Sequence, residues 1–248
     1  MDGVVPAAGR GTRLRPRTDE IPKCLLSVAG KPILERCFER LLAAGVDRLV
    51  VVVGYCAGDV IAWFGDQFRE VPIRYVHQAD RNGLAHALLQ AAPVVDDDFL
   101  LLNGDNVLEG DLSRLVERHR ATDSVATALV ERVSLDRARD TGVFELEDDR
   151  VVGMVEKPDS PPSRLVSAGC YAFSTEIFDA CRLLRPGDRG EYELSDAIDV
   201  LIAAGATVET VELDGWRINV NTQADIKAAS ARLSEATDVD SQDTEGPE

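Results

Sequence analysis

Val4–Thr18, V-V-P-A-A-G-R-G-T-R-L-R-P-R-T, joins a short apolar strand to a basic turn that carries two glycines one residue apart. The strand, Asp2–Ala7, has successive apolar positions, as a strand buried on both faces of a parallel sheet requires. Gly9 and Gly11 let backbone N–H groups approach a polyphosphate with no Cβ in the way. Arg13 can fork onto phosphate oxygens, and Lys23, in the following I-P-K-C-L-L (Ile21–Leu26), adds a mobile point charge. Two common phosphate motifs do not fit. The G-x-G lacks the third glycine of a dinucleotide fingerprint, and Gly30-Lys31 is followed by Pro32 rather than Ser or Thr.

Outward from this stretch, strands and helices alternate. Helical spacing of Leu34, Phe38, Leu41 and Leu42 predicts a helix over Leu34–Ala44, and Arg48–Val53 reads as a buried strand. A helix over Val60–Phe68, a strand over Ile73–Val76, a helix over Leu84–Ala91 and a strand over Phe99–Asn103 follow. The alternation predicts an α/β fold with a mainly parallel sheet covered on both faces. Ligands of such sheets bind beyond the carboxyl ends of the strands, here the loops after Ala7, Val76 and Asn103. Strands are then expected at Ser124–Val133, Gly142–Glu147, Val151–Glu156 and Ala168–Ser174, with helices at Glu176–Leu184 and Leu194–Ala204. This stretch is expected to fold over the sheet as an inserted substrate-binding lobe. A strand at Val208–Leu213 and a helix at Ala224–Leu233 close the pattern. Residues 236–248 carry five acids and no base and are expected to be a disordered tail.

Composition excludes several classes. With 248 residues, 45% of them hydrophobic, the chain has enough apolar material for a full core. No apolar run approaches the ~20 residues of a membrane span, and no secretory leader precedes the first strand, so a soluble, cytoplasmic protein is expected. The net charge of −17 disfavours nucleic acid and anionic membranes as partners. Only Lys23, Lys31, Lys157 and Lys227 are lysines; excess acid with scarce lysine suggests a halophilic protein, since salt would relieve its self-repulsion. The five cysteines form no C-x-x-C pair and read as reduced structural thiols. Three scattered histidines offer no zinc site.

Val4–Thr18 and Ile21–Leu26, continued by V-A-G-K-P-I-L (Val28–Leu34), closely resemble the N-terminal signature of the sugar-1-phosphate nucleotidylyltransferases, the NDP-sugar pyrophosphorylases. The likeness returns in spaced blocks down to the last helix. It is nearest to the archaeal UTP–glucose-1-phosphate uridylyltransferases, with the glucose-1-phosphate thymidylyltransferases next. The resemblance implies a Rossmann-like three-layer α/β/α sandwich with a mixed, mainly parallel sheet. Residues 1–235 would be the nucleotidyltransferase domain, 1–110 mainly binding nucleotide and 124–205 mainly binding sugar. It further implies transfer of a nucleotidyl group from UTP or dTTP to a sugar 1-phosphate, with glucose 1-phosphate favoured, releasing pyrophosphate with Mg²⁺ as cofactor. Homo-oligomerisation stays open.

The resemblance assigns roles residue by residue. Arg13, Lys23 and Asp105 would be catalytic, and Ala7, Ala8, Gly9, Gly11, Thr12, Arg13, Gln78, Gly83 and Asp105 would hold the nucleotide. In Q-A-D-R-N-G (Gln78–Gly83) the amide offers a donor and an acceptor to a pyrimidine edge, and Gly83 opens a helix against which a flat base can lie. In L-L-L-N-G-D-N (Leu100–Asn106) a carboxylate at the carboxyl edge of the sheet suits hard Mg²⁺ on phosphates. Asn106, Gly142, Glu156, Lys157, Gly169 and Tyr171 would bind the sugar phosphate, although Thr141 stands where the family has an aromatic residue. Glu191, Glu193 and Asp196 read as structural. Gly215–Thr222 (G-W-R-I-N-V-N-T) departs from the family: Asn219 takes the position of the second metal-binding Asp and Asn221 that of a Gly. Asn219 is favoured over Asn221 as the second ligand of Mg²⁺, a choice that stays open; either contributes a carbonyl oxygen but no charge. Readings left open are a catalytically weak regulatory member and a transferase with another phosphate acceptor.

Overall fold

Alternate residues of the apolar runs part to opposite faces of one sheet. The computed structural model describes residues 1–187 and 190–242. The chain begins with β1 (Asp2–Pro6), β2 (Ser27–Val28), β3 (Lys31–Pro32), α1 (Ile33–Ala43), β4 (Arg48–Val53) and α2 (Ala57–Phe64). It continues through β5 (Gln67–Phe68), β6 (Val71–His77), α3 (Leu84–Leu89), β7 (Phe99–Leu102), β8 (Asn106–Gly110) and α4 (Ser113–Ala121). Then come β9 (Ala126–Arg132), α5 (Leu135–Ala138), β10 (Gly142–Glu147), β11 (Arg150–Glu156) and β12 (Leu165–Phe173). The last elements are α6 (Glu176–Leu183), α7 (Leu194–Ala203), β13 (Val208–Glu212), β14 (Gly215–Asn219) and α8 (Gln223–Gln242).

The main sheet has ten strands, ordered β11-β10-β12-β7-β1-β4-β6-β5, with β9 on β12 and β13 on β9. β7, β1, β4 and β6 run parallel. Val5, Leu49, Val51, Leu100 and Leu102 pack with α1 (Phe38, Leu41), α4 (Leu115) and α8 (Ile226) on one face. Val4, Val50, Val52, Phe99 and Leu101 pack with α3 (Leu88), α6 (Phe178) and α7 (Ile198) on the other. Helix–sheet–helix layering is the direct consequence.

The segment expected as the inserted lobe extends this sheet. β12 runs antiparallel to β7 through Cys170–Phe173 and then pairs with β10 at Val166, with β9 along its other edge. The change of partner falls at Gly169, beside the carboxyl end of β7, where the Asn103 N–H donates to the Gly169 carbonyl at 2.9 Å. A separate ribbon of β8 and β14 sets Asn219 opposite Asn106 and returns the chain to Asp105, where the Val220 N–H donates to the Asp105 carbonyl at 2.9 Å.

Three expectations change. The helix expected over Val60–Phe68 ends at Phe64, because Gly65 adopts φ +67° and the chain turns into β5. β8, α4 and β14 were not anticipated as elements. Residues 236–242 of the expected disordered tail continue α8, since no Gly or Pro interrupts the run before Gly246. Residues 188, 189 and 243–248 lie outside the described residues.

Candidate active site

The basic turn after β1 is built around Lys23. Gly11 has φ +65°, and a Cβ there would stand 2.8 Å from the Cβ of Lys23. Gly11 therefore makes room for the lysine as much as for an anion. The buried Thr18 hydroxyl donates to the Gly11 carbonyl at 2.7 Å and holds the turn closed. Lys23 is buried, yet its Nζ reaches Asp105 Oδ2 at 2.8 Å and Asn221 Oδ1 at 3.0 Å. Arg13 donates to the same Asn221 Oδ1 at 3.0 Å. Two cations from one end of the sequence thus meet one carboxylate and one amide from elsewhere. Neighbouring Cys24 is no nucleophile: burial pushes its thiol up to about 12.

The far wall is made by Gln78 and the start of α3. Gln78 is buried and receives no freedom from its backbone, whose N–H donates to Val53 at 2.8 Å. Its Nε2 lies 3.3 Å from the Gly83 carbonyl and 2.9 Å from His86 Nδ1, so the donor half of the amide is engaged within the protein. The carbonyl half is the edge left for a ligand. Gly83, at φ +102°, could carry no side chain, since a Cβ would lie 2.5 Å from the Tyr192 carbonyl. Tyr192 is pinned there by its N–H to Asn82 (2.7 Å) and by the Ala85 N–H to its carbonyl (3.0 Å). This contact carries Glu191 to the mouth of the site.

The sugar-phosphate candidates cluster beyond Gly169. A Cβ at Gly169 would stand 2.3 Å from Asn106 Nδ2, which donates to the Ala168 carbonyl at 3.0 Å. Asn103 Oδ1 and Asn106 Oδ1 are buried without partners. Gly142 pairs in register with Glu156, and Lys157, at φ +45°, forms an ion pair with Glu156 at 2.8 Å. Glu193 has a buried, unpartnered Oε1; burial first, then the Glu156 charge, raises its carboxyl above the usual range. Tyr171 is buried, at 3% exposure. Strand alternation turns it into the second core face, where it stacks on Phe173 and donates its hydroxyl to Ser167.

One cavity of about 510 Å³ gathers the whole nucleotide set. Ala7, Ala8, Gly9, Gly11, Thr12, Arg13, Lys23, Gln78, Gly83 and Asp105 all line it. Asn106, Gly142, Glu156, Lys157, Gly169 and Tyr171 are not among its walls, nor is Asn219, whose Oδ1 is buried without a partner. Asn221 stands in the wall instead. Sequence reasoning missed Arg10, Arg81, Asn103 and Glu191 as lining residues. Arg10 lay inside the quoted motif; Arg81 and Glu191 flank Gly83 and Tyr192 and become visible only when those segments meet.

Comparison with known proteins follows this geometry. A family model for nucleotidyl transferases matches residues 2–231. The chain belongs to the nucleotidyl transferase family. It is 46% identical over 238 residues to the UTP–glucose-1-phosphate uridylyltransferase AglF of Haloferax volcanii, covering 96% of this chain and 98% of that protein. It is 39% identical over 232 residues to a glucose-1-phosphate thymidylyltransferase of Streptomyces antibioticus, covering 91% of this chain but 64% of that longer one. The crystal structure of a UDP-glucose pyrophosphorylase complexed with UDP-glucose superposes with a TM-score of 0.86 over 95% of this chain and 98% of that chain. At 23% identity that likeness shows the Rossmann-like fold. No helix among the described residues is long and apolar enough to cross a membrane.

Proposed function

We propose that this chain transfers a nucleotidyl group from UTP or dTTP to a sugar 1-phosphate, glucose 1-phosphate being favoured. The observation that carries the reading is the convergence of Arg13 and Lys23 with Asp105 and Asn221 in one cavity whose opposite wall holds Gln78. A triphosphate spans such a cavity with its tail on the cations and its base at the amide. The free carbonyl edge of Gln78 accepts from the N3–H of uracil or thymine, a donor that cytosine lacks. The two pyrimidines differ by one methyl group, worth about 1 kcal/mol, so both are retained.

A sugar-phosphate oxygen attacks the α-phosphorus; a P–O bond forms there and the bridging α–β P–O bond breaks, releasing pyrophosphate. Arg13 neutralises charge gathering on the departing phosphates, and Lys23 lies beside the α-phosphate and incoming oxygen. Lys157 orients the sugar phosphate, and Glu156 accepts from sugar hydroxyls. No side chain forms a covalent bond.

Mg²⁺ is part of the proposal. Among the described residues no cluster of three or more His, Cys, Asp or Glu forms a closed metal cage. One carboxylate with nearby amide oxygens fits a hard ion that keeps waters and is held largely by phosphates. Asp105 would hold it with Asn221, which lines the cavity, in preference to Asn219. When bound, the ion neutralises charge between the reacting phosphates. The five unpaired cysteines support a reducing, cytoplasmic setting.

The test is a panel of UTP, dTTP, CTP and purine triphosphates crossed with sugar 1-phosphates, read as pyrophosphate release with and without Mg²⁺. Metal-dependent release with UTP or dTTP and glucose 1-phosphate is expected. Turnover with no sugar 1-phosphate in the panel would sink the reading.

A further inference from the structure

Beside the main cavity lies a second, of about 390 Å³, lined by Arg13, Leu14, Arg15, Pro16, Arg17, Gln223 and Lys227. In a chain with 44 acids and 27 bases, four cations and no carboxylate line it among the described residues. Arg15 is neutralised by Asp19 at 3.0 Å, and Arg13 is held by Asn221. The side chains of Arg17 and Lys227 have no hydrogen bond or ion pair among the described residues, and both are exposed. Like charges gathered in a concavity repel unless an anion joins them. The two unpartnered cations also come from separate parts of the chain, the turn after β1 and α8, so their meeting is a property of the fold.

Arg13 lines both cavities. An anion leaving its guanidinium on the main-cavity side meets Arg17 and Lys227 on the other. The second cavity offers charge and little else: no aromatic face for a base and a single amide, Gln223. That chemistry suits a compact, multiply charged phosphate with no organic part. We infer that this cavity is a holding and exit site for the inorganic pyrophosphate released by the reaction. The inference rests on the transfer reading above and adds Arg17 and Lys227 as residues that govern product release and the reverse reaction.

Direct binding tests it, using the full chain at constant ionic strength. Inorganic pyrophosphate, orthophosphate and UTP are titrated calorimetrically into the wild type, into Arg17→Ala with Lys227→Ala, and into a control of equal charge loss, Arg74→Ala with Arg120→Ala. Arg74 on β6 and Arg120 on α4 are exposed and outside both cavities. Loss of charge-assisted contacts in the first pair should weaken pyrophosphate about tenfold, with the inhibition constant of pyrophosphate rising in step. UTP, orthophosphate and the control pair should each shift less than twofold. Pyrophosphate affinity within twofold of wild type overturns the inference. So does an equal loss in the control, which makes the effect one of net charge, or an equal loss for UTP, which makes the cavity part of the triphosphate grip. Turnover in the substrate panel with such a result fails this site alone; absence of turnover in the wild type fails the transfer reading and this site with it.

Discussion

Asn221 accepts from Arg13 and Lys23 at once, each at 3.0 Å, so one side chain sets the spacing of both cations. Removing either positive charge takes away electrostatic stabilisation that is strongest in the transition state. Arg13→Ala and Lys23→Met should each lower kcat by about 10²-fold or more, measured as pyrophosphate release at saturating substrates. Near-normal kcat in either would contradict its role. The two asparagines of Gly215–Thr222 separate in the same assay. Asn221→Ala should raise the Mg²⁺ needed for half-maximal rate by about tenfold, whereas Asn219→Ala, altering a half-buried side chain outside the cavity, should mainly lower stability. The reverse ranking would make Asn219 the metal ligand. Residues that act within one contiguous motif, such as Gly11 and Arg13, were legible in the sequence because their spacing is local. The contacts of Asn221 with Arg13 and Lys23 were not, since those partners lie some two hundred positions away, and its neighbour Asn219 carries the same chemistry.

Elements were legible where periodicity is strong. β4 has the bounds that its apolar run Arg48–Val53 predicts, and α1 differs by one residue at each end. β8 and β14 escaped because each is short and is held by the other across the chain, with no local signal beyond mixed polarity. The start of α3 depends on such a distant contact. Gly83→Ala would press a Cβ into the Tyr192 carbonyl in a left-handed backbone, costing roughly 1–3 kcal/mol and raising KM for the nucleotide. An unchanged urea midpoint and KM would show that α3 is free to shift. Helix α4 carries a different dependency. His119 is buried against Thr127 and Ser124, and burial lowers its pKa below the ordinary value despite nearby Asp98. The native state therefore prefers neutral imidazole. Below about pH 6.5 the unfolded chain takes up a proton that the native state resists, so this stability is present above that pH and is lost as pH falls. The loss cannot exceed about 1.4 kcal/mol per pH unit for one proton. Glu193 and Asp196 act oppositely, their raised carboxyls favouring the fold as pH falls. Urea midpoints at pH 7.5 and 5.5 for wild type and His119→Gln isolate the histidine: the variant should lose less on acidification, and parallel losses would remove His119 as the cause.

At the scale of the whole molecule the governing quantity is charge. A net charge of −17 was read directly from composition, but only the fold reveals that Arg10, Arg13, Arg15, Arg17, Lys23, Arg81 and Lys227 gather at two neighbouring cavities. The rest of the surface is correspondingly more negative than the average suggests. Two effects of salt oppose each other. Exposed ion pairs such as Arg118–Glu209 and Arg182–Asp179 weaken as salt rises, yet each contributes only about 0–1 kcal/mol to begin with. Repulsion among the unpaired carboxylates acts over the whole surface, and shrinking the Debye length from about 10 Å at 0.1 M to about 3 Å at 1 M removes most of it. Relief of repulsion therefore wins, and the midpoint of thermal unfolding should climb by several degrees between 0.1 and 2 M KCl. The same screening weakens phosphate binding, so KM for the nucleotide should rise over that range while the fold gains stability. A midpoint that stays flat or falls with KCl would mean that the acidic surface is not under strain, and the reading of this chain as salt-adapted would go with it.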